Sequence, residues 1–571
     1  MQRRAACGRF ASVVVLRGCR FEALQWLANI SVARSHRIQE VAHGTILMAS
    51  LVMRSAAFLL ACISLLVHSH NRPAQAVSAG ALCPNCNVVL ISVDTLRADH
   101  VGCYGYERPT TPSIDDFSRN AVIFERAISQ APWTLPAHGA MFSGLYPGRL
   151  GVTSYPAVRK LPDGNAVLPE ELRKAGYATA GFTGGGFVSA HYGFDRGFDT
   201  YTTSGRRFEY NVRQSLDWLG INKDRRFFLF LHGYDAHRPY YSTDADKKAM
   251  GLADDLPVER LRYCFREERD RPSDEGLAEI IAYYDAAIRH GDRELGPFFD
   301  RLKQLGLMEN TIIIVTSDHG EEFFEHGNCD HVRFVYEESV HVPLIIYVPG
   351  HSPNGKRVPG LVPASISIAR TALDLVGLQH SMPGVSLVPI LTGERDSFPI
   401  VYSQADSTAG ALGSRGEVVA ATRRHDKLVS YMEEGASEGF DLIKDPREQK
   451  VLDEDAKAYR MRNTLRAWAA SNDPLPKPKT TSTKMTPKQI AEREKRRERR
   501  LELLAERIRE EPALGEKRRA TRKPSPPLPR ESDDPPKKSD AEFDGDPEAE
   551  PSIEVPDHVR ESLKALGYIE E

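Results

Sequence analysis

The stretch that decides the fold is NVVLISVD, residues 87–94, an apolar run that ends in an aspartate. Four later stretches have the same design, with β-branched and aromatic residues followed by polar ones. They are YATAGFTG (177–184), RFFLFLHGYDAH (226–237), TIIIVTSDHG (311–320) and VPLIIYVPG (342–350). Continuous apolar runs of this length are typical of buried parallel strands. With helical stretches such as 168–176 and 275–306 between them, they predict an α/β fold with a mostly parallel central sheet flanked by helices.

Length and charge bound the remaining organisation. The chain has 571 residues, more than one compact domain usually uses. Lys plus Arg number 75 and Asp plus Glu number 78, so the near-neutral chain gives no electrostatic reason to expect nucleic acid as a partner. Shorter strand-like segments begin at Pro399. We therefore expect a catalytic domain over 83–398 and a small C-terminal α+β subdomain over 399–470.

The N-terminal region predicts export. Residues 1–46 are basic and without strong periodicity, so we expect a poorly ordered extension, or sequence upstream of a true start at Met48 or Met53. Residues 47–76 combine a basic residue, an apolar run and a small-residue cleavage site, the layout of a secretory signal peptide. This predicts a periplasmic or secreted protein whose mature chain has no transmembrane span. Lipoprotein processing before Cys62 is the less favoured alternative, because the apolar run continues past that cysteine.

The C-terminal region changes composition. Residues 471–551 are rich in Lys, Arg, Glu, Pro and Ser, which predicts a disordered, charged tail that contains one solvated helix. Residues 552–571 regain helical spacing and predict a terminal helix. Near the start of the mature chain, Cys83 and Cys86 form a CxxC pair, for which a local disulfide is expected in an exported protein.

Polar residues stand where several of the predicted elements end or begin. They are Asp94, Thr134, Asp235, His237, Asp318, His319, His326 and His331. In open α/β sheets, ligands bind outside the carboxyl ends of the strands. Acidic and imidazole groups gathered there can hold a divalent metal, and a metal beside a hydroxyl lowers its pKa and makes it a nucleophile. Alone, Thr134 would be interpreted as a helix cap and each aspartate as a turn residue; their joint order favours a site.

Five phrases, taken in order, resemble the sulfatase family of the alkaline phosphatase superfamily. They lie at 87–152, 172–201, 227–240, 314–327 and 335–350, and GFDLIKDPREQKVL (439–452) extends the match. The resemblance implies an alkaline phosphatase/sulfatase-like fold and an ester hydrolase. It implies a divalent metal on Asp94, Thr134, Asp318 and His319. It further implies that Thr134 is the nucleophile and that His237 and His331 face the transferred group or the leaving oxygen.

The segment Thr134-Leu135-Pro136-Ala137-His138 departs from the family signature, which is Cys or Ser followed by x-Pro-Ser/Ala-Arg. The first residue of that signature is oxidised to formylglycine. Threonine carries a methyl group on Cβ and could give only a ketone, so no formylglycine is expected. His138 replaces the arginine, and we expect it to bind substrate together with Asp235 and His326. Asp235 is alternatively expected to orient a catalytic histidine or to bind a second metal. The loop 183–193 also lacks the family's lysine.

These departures shape the predicted chemistry. A threonine ester cannot release its acid by breaking its own C–O bond, so water must attack phosphorus or sulfur, and phosphorus accepts that attack readily. The sequence therefore predicts a metal-dependent hydrolase of a phosphate or phosphonate ester with a small, glycan or lipid alcohol half. A sulfuric ester hydrolase without formylglycine and a catalytically silent binder of anionic glycans or lipids remain alternatives. The resemblance points to calcium, whereas the imidazole ligand favours manganese or zinc; magnesium also tolerates such a set.

Overall fold

The computed structural model describes residues 81–153, 158–203, 206–252, 271–352, 355–407, 416–454 and 456–471. Its strands are β1 Asn87–Val93, β2 Val122–Ile128, β3 Ala178–Phe182, β4 Thr200–Thr202, β5 Phe227–Gly233, β6 Thr311–Thr316, β7 Glu322–Phe323, β8 Cys329–Asp330, β9 His341–Val342, β10 Leu344–Tyr347, β11 Arg357–Pro363, β12 Val401–Ser407, β13 Gly416–Arg423, β14 Asp426–Tyr431 and β15 Ala436–Asp441. The large sheet has the order β11-β2-β10-β6-β1-β5-β3-β4, with β9 paired to β2.

Strand β1 lies inside this sheet and is parallel to both of its neighbours, with Val88 opposite Phe228 of β5 and Ile312 of β6. Every residue of β1 is buried. Val88 and Leu90 belong to one apolar cluster, whereas Val89 and Ile91 belong to another. Both faces of the strand are therefore covered, which explains the unbroken apolar run. The predicted α/β class and the mostly parallel sheet are confirmed.

One of the expected parallel strands runs the other way. The stretch VPLIIYVPG contains β10, which is antiparallel to both β6 and β2. Leu344 at the start of β10 pairs with Thr316 at the end of β6. The chain between them returns to the same edge of the sheet instead of crossing back, and a parallel neighbour would need that crossover. The apolar pattern predicted a buried strand but carried no information on its direction.

Eleven α-helices and seven short 3₁₀ helices lie within the described ranges. The α-helices are α1 Pro112–Ser118, α2 Thr134–Ser143, α3 Pro147–Leu150, α4 Leu168–Lys174, α5 Phe208–Asn222, α6 Asp244–Ala249, α7 Asp274–Gln304, α8 Glu337–Val340, α9 Ile368–Leu375, α10 Val388–Leu391 and α11 Arg462–Ser471. Short 3₁₀ helices span Ala98–His100, Gly102–Tyr104, Gly186–Val188, Ala190–Tyr192, Leu307–Asn310, Ser365–Ser367 and Lys457–Met461. The Ser273 hydroxyl caps α7 by accepting from the Gly276 N–H at 3.2 Å, as serine does at many helix starts.

A second sheet forms the C-terminal subdomain. Its four strands follow in the order β12-β13-β14-β15, and each neighbouring pair is antiparallel. Helix α11 packs against this sheet, where Trp468 stacks on Tyr402 with ring centroids 4.4 Å apart. The small α+β subdomain expected from the sequence is therefore present.

Several predictions concern residues outside the described ranges. They are the N-terminal extension 1–46, the signal peptide 47–76, the charged tail to residue 551 and the terminal helix 552–571. The expected disulfide is confirmed, because Cys83 and Cys86 are bonded with their Cα atoms 5.5 Å apart. None of the helices in the described ranges is long and apolar enough to span a membrane.

Candidate active site

The carboxyl edge of the large sheet gathers the four predicted metal ligands. Asp94 follows β1, Asp318 and His319 follow β6, and Thr134 is the first residue of α2. The Thr134 hydroxyl lies 3.3 Å from Asp94 Oδ2 and 3.4 Å from His319 Nε2. His319 Nε2 is in turn 3.3 Å from Asp318 Oδ2. All four residues are fully buried, so the structure brings together the set that the resemblance implied.

Thr134 does not act as the cap of its helix. The N-cap position belongs to Trp133, and no side chain caps the helix there. Thr134 already has its place within the first turn, and its hydroxyl points to the carboxylate and the imidazole across the sheet edge. A threonine in the first turn gains nothing as a cap from that orientation, since capping requires a bond to a backbone N–H of the same helix. The geometry therefore favours a functional role for this hydroxyl.

The donor set fits a divalent cation. Asp94 Oδ1 and Asp318 Oδ2 are both buried and accept no hydrogen bond, an expensive arrangement unless a charge completes it. Burial and the nearby Asp318 carboxylate raise the pKa of Asp94 well above its ordinary value. A cation between the two carboxylates would bind the oxygens that accept no hydrogen bond and would offset the repulsion between the two negative charges. Two carboxylates, one hydroxyl and one imidazole suit manganese, zinc, magnesium or calcium to different degrees.

Two more histidines, His138 and His232, contact the carboxylates of Asp318 and Asp94. His138 is fully buried, with Nδ1 at 2.9 Å from the Thr134 carbonyl oxygen and Nε2 at 3.0 Å from Ser92 Oγ. Its Nδ1 also lies 3.4 Å from Asp318 Oδ2. Both ring nitrogens of His138 thus contact the protein, where they support the Thr134 turn and Asp318. Its expected part in substrate binding stays a prediction.

His232 is a site residue that the sequence reasoning missed. It lies inside β5, is fully buried, and places Nε2 at 3.2 Å from Asp94 Oδ2. Burial lowers its pKa well below the ordinary value, so the ring is neutral and can hold Asp94 by a hydrogen bond. A signal was present in the sequence, since a histidine within the apolar run FFLFLHG must find a buried partner.

His237 and His331 lie together beside the ligand set. The His331 ring centroid is 4.5 Å from that of His319 and 5.1 Å from that of His237. Burial alone would lower the pKa of His331, but the carboxylates of Asp330 and Glu321, 3.0 and 3.2 Å away, raise it to about 10. Burial lowers the pKa of His237 well below its ordinary value. The environment thus favours the protonated form of His331 and the neutral form of His237.

The turn that carries His331 is held in a strained conformation. Its flanking residues Asp330 and Val332 have φ angles of 79° and 91°, in the left-handed region that non-glycine residues rarely adopt. Arg238 pairs with Asp330 at 2.9 Å and holds the turn from the other side. Thr95, directly after Asp94, also has a positive φ of 56°. Strain of this kind persists where the surroundings over-determine the backbone, and it concentrates at functional sites.

Asp235 and His326, two predicted site residues, form hydrogen bonds to other parts of the fold. Asp235 Oδ2 accepts the Phe208 N–H at 2.9 Å and so holds the start of α5. His326 places Nδ1 at 2.5 Å from Glu338 Oε1 and Nε2 at 2.9 Å from the Glu448 carbonyl oxygen. The contacts of both residues tie them to other parts of the fold rather than to the Thr134 hydroxyl. Both ring nitrogens of His326 have protein partners, whereas Asp235 Oδ1 is buried and accepts no hydrogen bond. Substrate binding by either residue stays a prediction.

With the geometry in place, comparison with known proteins identifies the class. The Sulfatase family model matches residues 86–378, just over half of the chain, and a model described as N-sulphoglucosamine sulphohydrolase, C-terminal, matches residues 324–471. The chain therefore belongs to the sulfatase family of the alkaline phosphatase superfamily. It is an ester hydrolase by that membership, and its fold is the one the family is expected to have.

Individual relatives are distant but extensive matches. An endo-4-O-sulfatase of Bacteroides thetaiotaomicron is 25% identical over 417 residues, which cover 59% of this chain and 79% of the relative. A Delta 4,5-hexuronate-2-O-sulfatase of the same organism is 27% identical, with 65% and 85% covered. Among solved structures, the phosphonate monoester hydrolase of Agrobacterium radiobacter aligns with a TM-score of 0.57 and 20% identity, covering 68% of this chain and 95% of that one. This last likeness concerns the fold alone.

Proposed function

We propose that this protein hydrolyses a phosphate or phosphonate ester, with Thr134 as the nucleophile. The observation that carries the proposal is the position of the Thr134 hydroxyl, 3.3 Å from Asp94 Oδ2 and 3.4 Å from His319 Nε2, in a fully buried cluster of carboxylates. A hydroxyl in the first turn of a helix has no structural need for these partners. A nucleophile needs a base or a cation beside it.

Asp94, Thr134, Asp318 and His319 would hold the divalent metal. When bound, the metal would lower the pKa of the threonine hydroxyl and neutralise charge on the transferred group. The neutral ring of His232 keeps Asp94 in place, at 3.2 Å. Among the remaining side chains, His331 carries a proton on a ring held by Asp330 and Glu321. It is the group best suited to protonate the leaving oxygen, which is general acid catalysis.

The threonine itself favours phosphorus over sulfur. Its Cβ bears a methyl group and no thiol, so the aldehyde chemistry of the family's usual first residue is closed to it. An ester formed on Thr134 must be released by a second attack at the central atom. The second attack needs a base that accepts a proton from water. The His237 imidazole can serve as that base, because burial beside His331 keeps it neutral.

A sulfate ester is the second candidate substrate. It is favoured by the family and by relatives whose names describe sulfatases that act on 4-O and 2-O positions. Those names also favour a glycan as the alcohol half. Release of sulfate from a threonine would again need direct attack by water, in this case at sulfur. Export of the enzyme to such a substrate through the segment 47–76 stays a prediction.

Substitution of Thr134 tests the proposal. With aryl phosphate, aryl phosphonate and aryl sulfate esters, the wild-type enzyme should prefer a phosphorus ester. Thr134→Ala should lower turnover by about 10⁴-fold or more, as loss of a nucleophile does in other hydrolases. Thr134→Ser should keep measurable activity because its hydroxyl survives. Thr392→Ala, at an exposed threonine, is the matched control and should behave as wild type.

Each alternative has its own outcome in this experiment. If the wild-type enzyme prefers the aryl sulfate and Thr134→Ala loses the same activity, the substrate is a sulfate ester and Thr134 is still the nucleophile. Full activity in Thr134→Ala would remove the nucleophile from the proposal. Binding of the esters without turnover by metal-loaded wild-type protein would support the silent binder. Metal content measured on every variant separates loss of the hydroxyl from loss of the cation.

A further inference from the structure

Two adjacent arginines lie one side chain away from the ligand cluster. The Arg206 carbonyl oxygen accepts the Tyr234 N–H at 2.8 Å. The Tyr234 ring is 4.6 Å from the ring of His232 and 5.5 Å from that of His237. The Tyr234 hydroxyl donates to the Gly185 carbonyl oxygen at 3.1 Å. One residue, Tyr234, therefore separates the Arg206 backbone from the rings of His232 and His237.

Within the described ranges, these arginines differ from other arginines near the site in forming no ion pair with a carboxylate. Arg97 pairs with Asp99 and Glu325, and Arg238 pairs with Asp330. The charge of the adjacent Arg207 acts on Arg206. Burial and that like charge together lower the pKa of Arg206. Two half-buried positive charges side by side are costly unless an anion binds them.

The partners of Arg207 leave its donors available. Its guanidinium carbon lies 3.5 Å from the ring centroid of Tyr241, a side chain that is 47% exposed. A guanidinium stacked on a ring keeps its N–H groups in the plane, where they match the oxygens of a planar or tetrahedral oxyanion. Arg207 Nη1 is buried and donates to no acceptor. The charge of Arg207 acts on Asp235, but Asp235 Oδ2 already accepts the Phe208 N–H.

We propose that Arg206 and Arg207 form a second anion subsite, which binds a carboxylate or sulfate on the alcohol half of the substrate. Its description as part of a substrate site depends on the proposed function, whereas its ability to bind an anion does not. Tyr234 links the Arg206 backbone to the rings of His232 and His237. In this proposal the pair binds the portion of the ester beyond the transferred group. The enzyme would then select an ester that carries a second negative charge.

Matched substrates test the subsite. The probes are phenyl phosphate and 4-carboxyphenyl phosphate, together with the two corresponding sulfates, which differ only in the second anion. The wild-type enzyme should favour the carboxylated member of its preferred pair in kcat/KM. The double variant Arg206→Gln/Arg207→Gln should lower the ratio of the two kcat/KM values by about tenfold, since bonds between charged groups each contribute more than neutral ones. The loss should appear mainly in KM.

A control and a binding measurement make the result decisive. Arg225→Gln removes the same charge from an exposed arginine that precedes β5, at the opposite end of that strand from His232. It should leave the ratio unchanged. The dissociation constants of both phosphates for Thr134→Ala, measured by calorimetry with and without the arginine substitutions, report on the subsite without turnover. Equal affinity for the two phosphates, or an unchanged ratio in the double variant, would overturn the subsite. Absent turnover with selective binding would instead overturn the proposed function.

Discussion

Two largely buried polar clusters in this molecule are built in different ways. At the carboxyl edge of the large sheet, Asp94 and Asp318 face each other with one oxygen each that accepts no hydrogen bond. Where the C-terminal sheet meets α8, the Lys427 ammonium lies 2.8 Å from Glu337 Oε1 and 3.0 Å from Glu448 Oε1. Burial acts on both clusters, but Lys427 lowers the pKa of Glu337 despite it.

The difference separates function from stability. The second cluster contains its own cation and joins two parts of the fold, although burial still raises the pKa of Glu448 to about 7, and Glu448 Oε1, 3.0 Å from the ammonium, accepts no hydrogen bond. Burial acts against the charge of Asp318, but the neighbouring histidines lower its pKa to about 2. Burial and the Asp318 carboxylate raise the pKa of Asp94, and the protonated ring of His331 opposes this only in part. The buried Asp94 carboxylate therefore destabilises the folded state until a cation binds. The protein thus keeps an unfavourable arrangement at the site and a balanced one at the subdomain contact.

Within the comparison of the two clusters, the largest expected effect is the loss of activity on substitution of Asp94. Asp94→Asn should lower activity by more than about a hundredfold, because even changes outside the ligand shell of a metal cost about 10–100-fold. In the presence of a chelator, the same variant should be more stable than wild type. The folded-state pKa of Asp94 is raised, so its charge destabilises the metal-free protein above the unfolded-state pKa, and asparagine removes that cost.

Thermal unfolding with and without divalent metal measures the expected gain in stability without metal and the expected loss of stabilisation by metal. Wild type should gain more in Tm from added metal than Asp94→Asn does. Asp300→Asn, on the exposed side of α7 with 67% of its side chain accessible, serves as the control for loss of a carboxylate. If Asp94→Asn unfolds at a lower temperature than wild type in the chelator, the carboxylate is satisfied without a cation and the contrast between the clusters fails.

Sequence reasoning found the first cluster better than the second, for a physical reason. Strand ends in parallel sheets converge, so Asp94 and Asp318 could be placed together from apolar runs alone. The direction of β10 could not, because a buried antiparallel strand has the same composition. The true partners of His326 were also hidden, since Glu448 lies 122 residues further along the chain. A histidine near a motif attracts a functional interpretation when its long-range partners are unknown.

The next effect in size concerns stability at Lys427. Lys427→Met leaves Glu337 and Glu448 buried without their cation, which should lower the free energy of unfolding by about 3–5 kcal/mol. Chemical denaturation measures this loss. The exposed pair of Lys444 and Asp441, 3.5 Å apart with 84% of the Lys444 side chain accessible, supplies the control. Lys444→Met should cost less than about 1 kcal/mol.

Activity distinguishes this cluster from the first. Below its unfolding transition, Lys427→Met should keep far more activity than Asp94→Asn, because no atom of Lys427 belongs to the ligand set. Adding Glu448→Gln to Lys427→Met should recover part of the lost stability, since it removes one of the uncompensated charges. A variant that stays folded but loses activity as completely as Asp94→Asn would show that the subdomain contact takes part in building the site.

The smallest effect is a pH-dependent contribution from His326. Its ring stacks on Tyr336 with centroids 3.6 Å apart. Burial opposes the charged form, but the bond to Glu338 and the Glu448 carbonyl oxygen raise the pKa of His326 to about 9. A raised folded-state pKa stabilises the protein fully below the unfolded-state value of about 6.5, and that stability is lost as the pH rises through about 9. His326→Gln should therefore cost at most about 3 kcal/mol at pH 6 and progressively less up to pH 10.

Denaturation of wild type and variant at several pH values gives the difference in the free energy of unfolding as a function of pH. For His351→Gln, at an exposed histidine, this difference should not change with pH. A His326→Gln difference that stays constant from pH 6 to 10 would mean that this ring contributes by packing on Tyr336 and not by its charge.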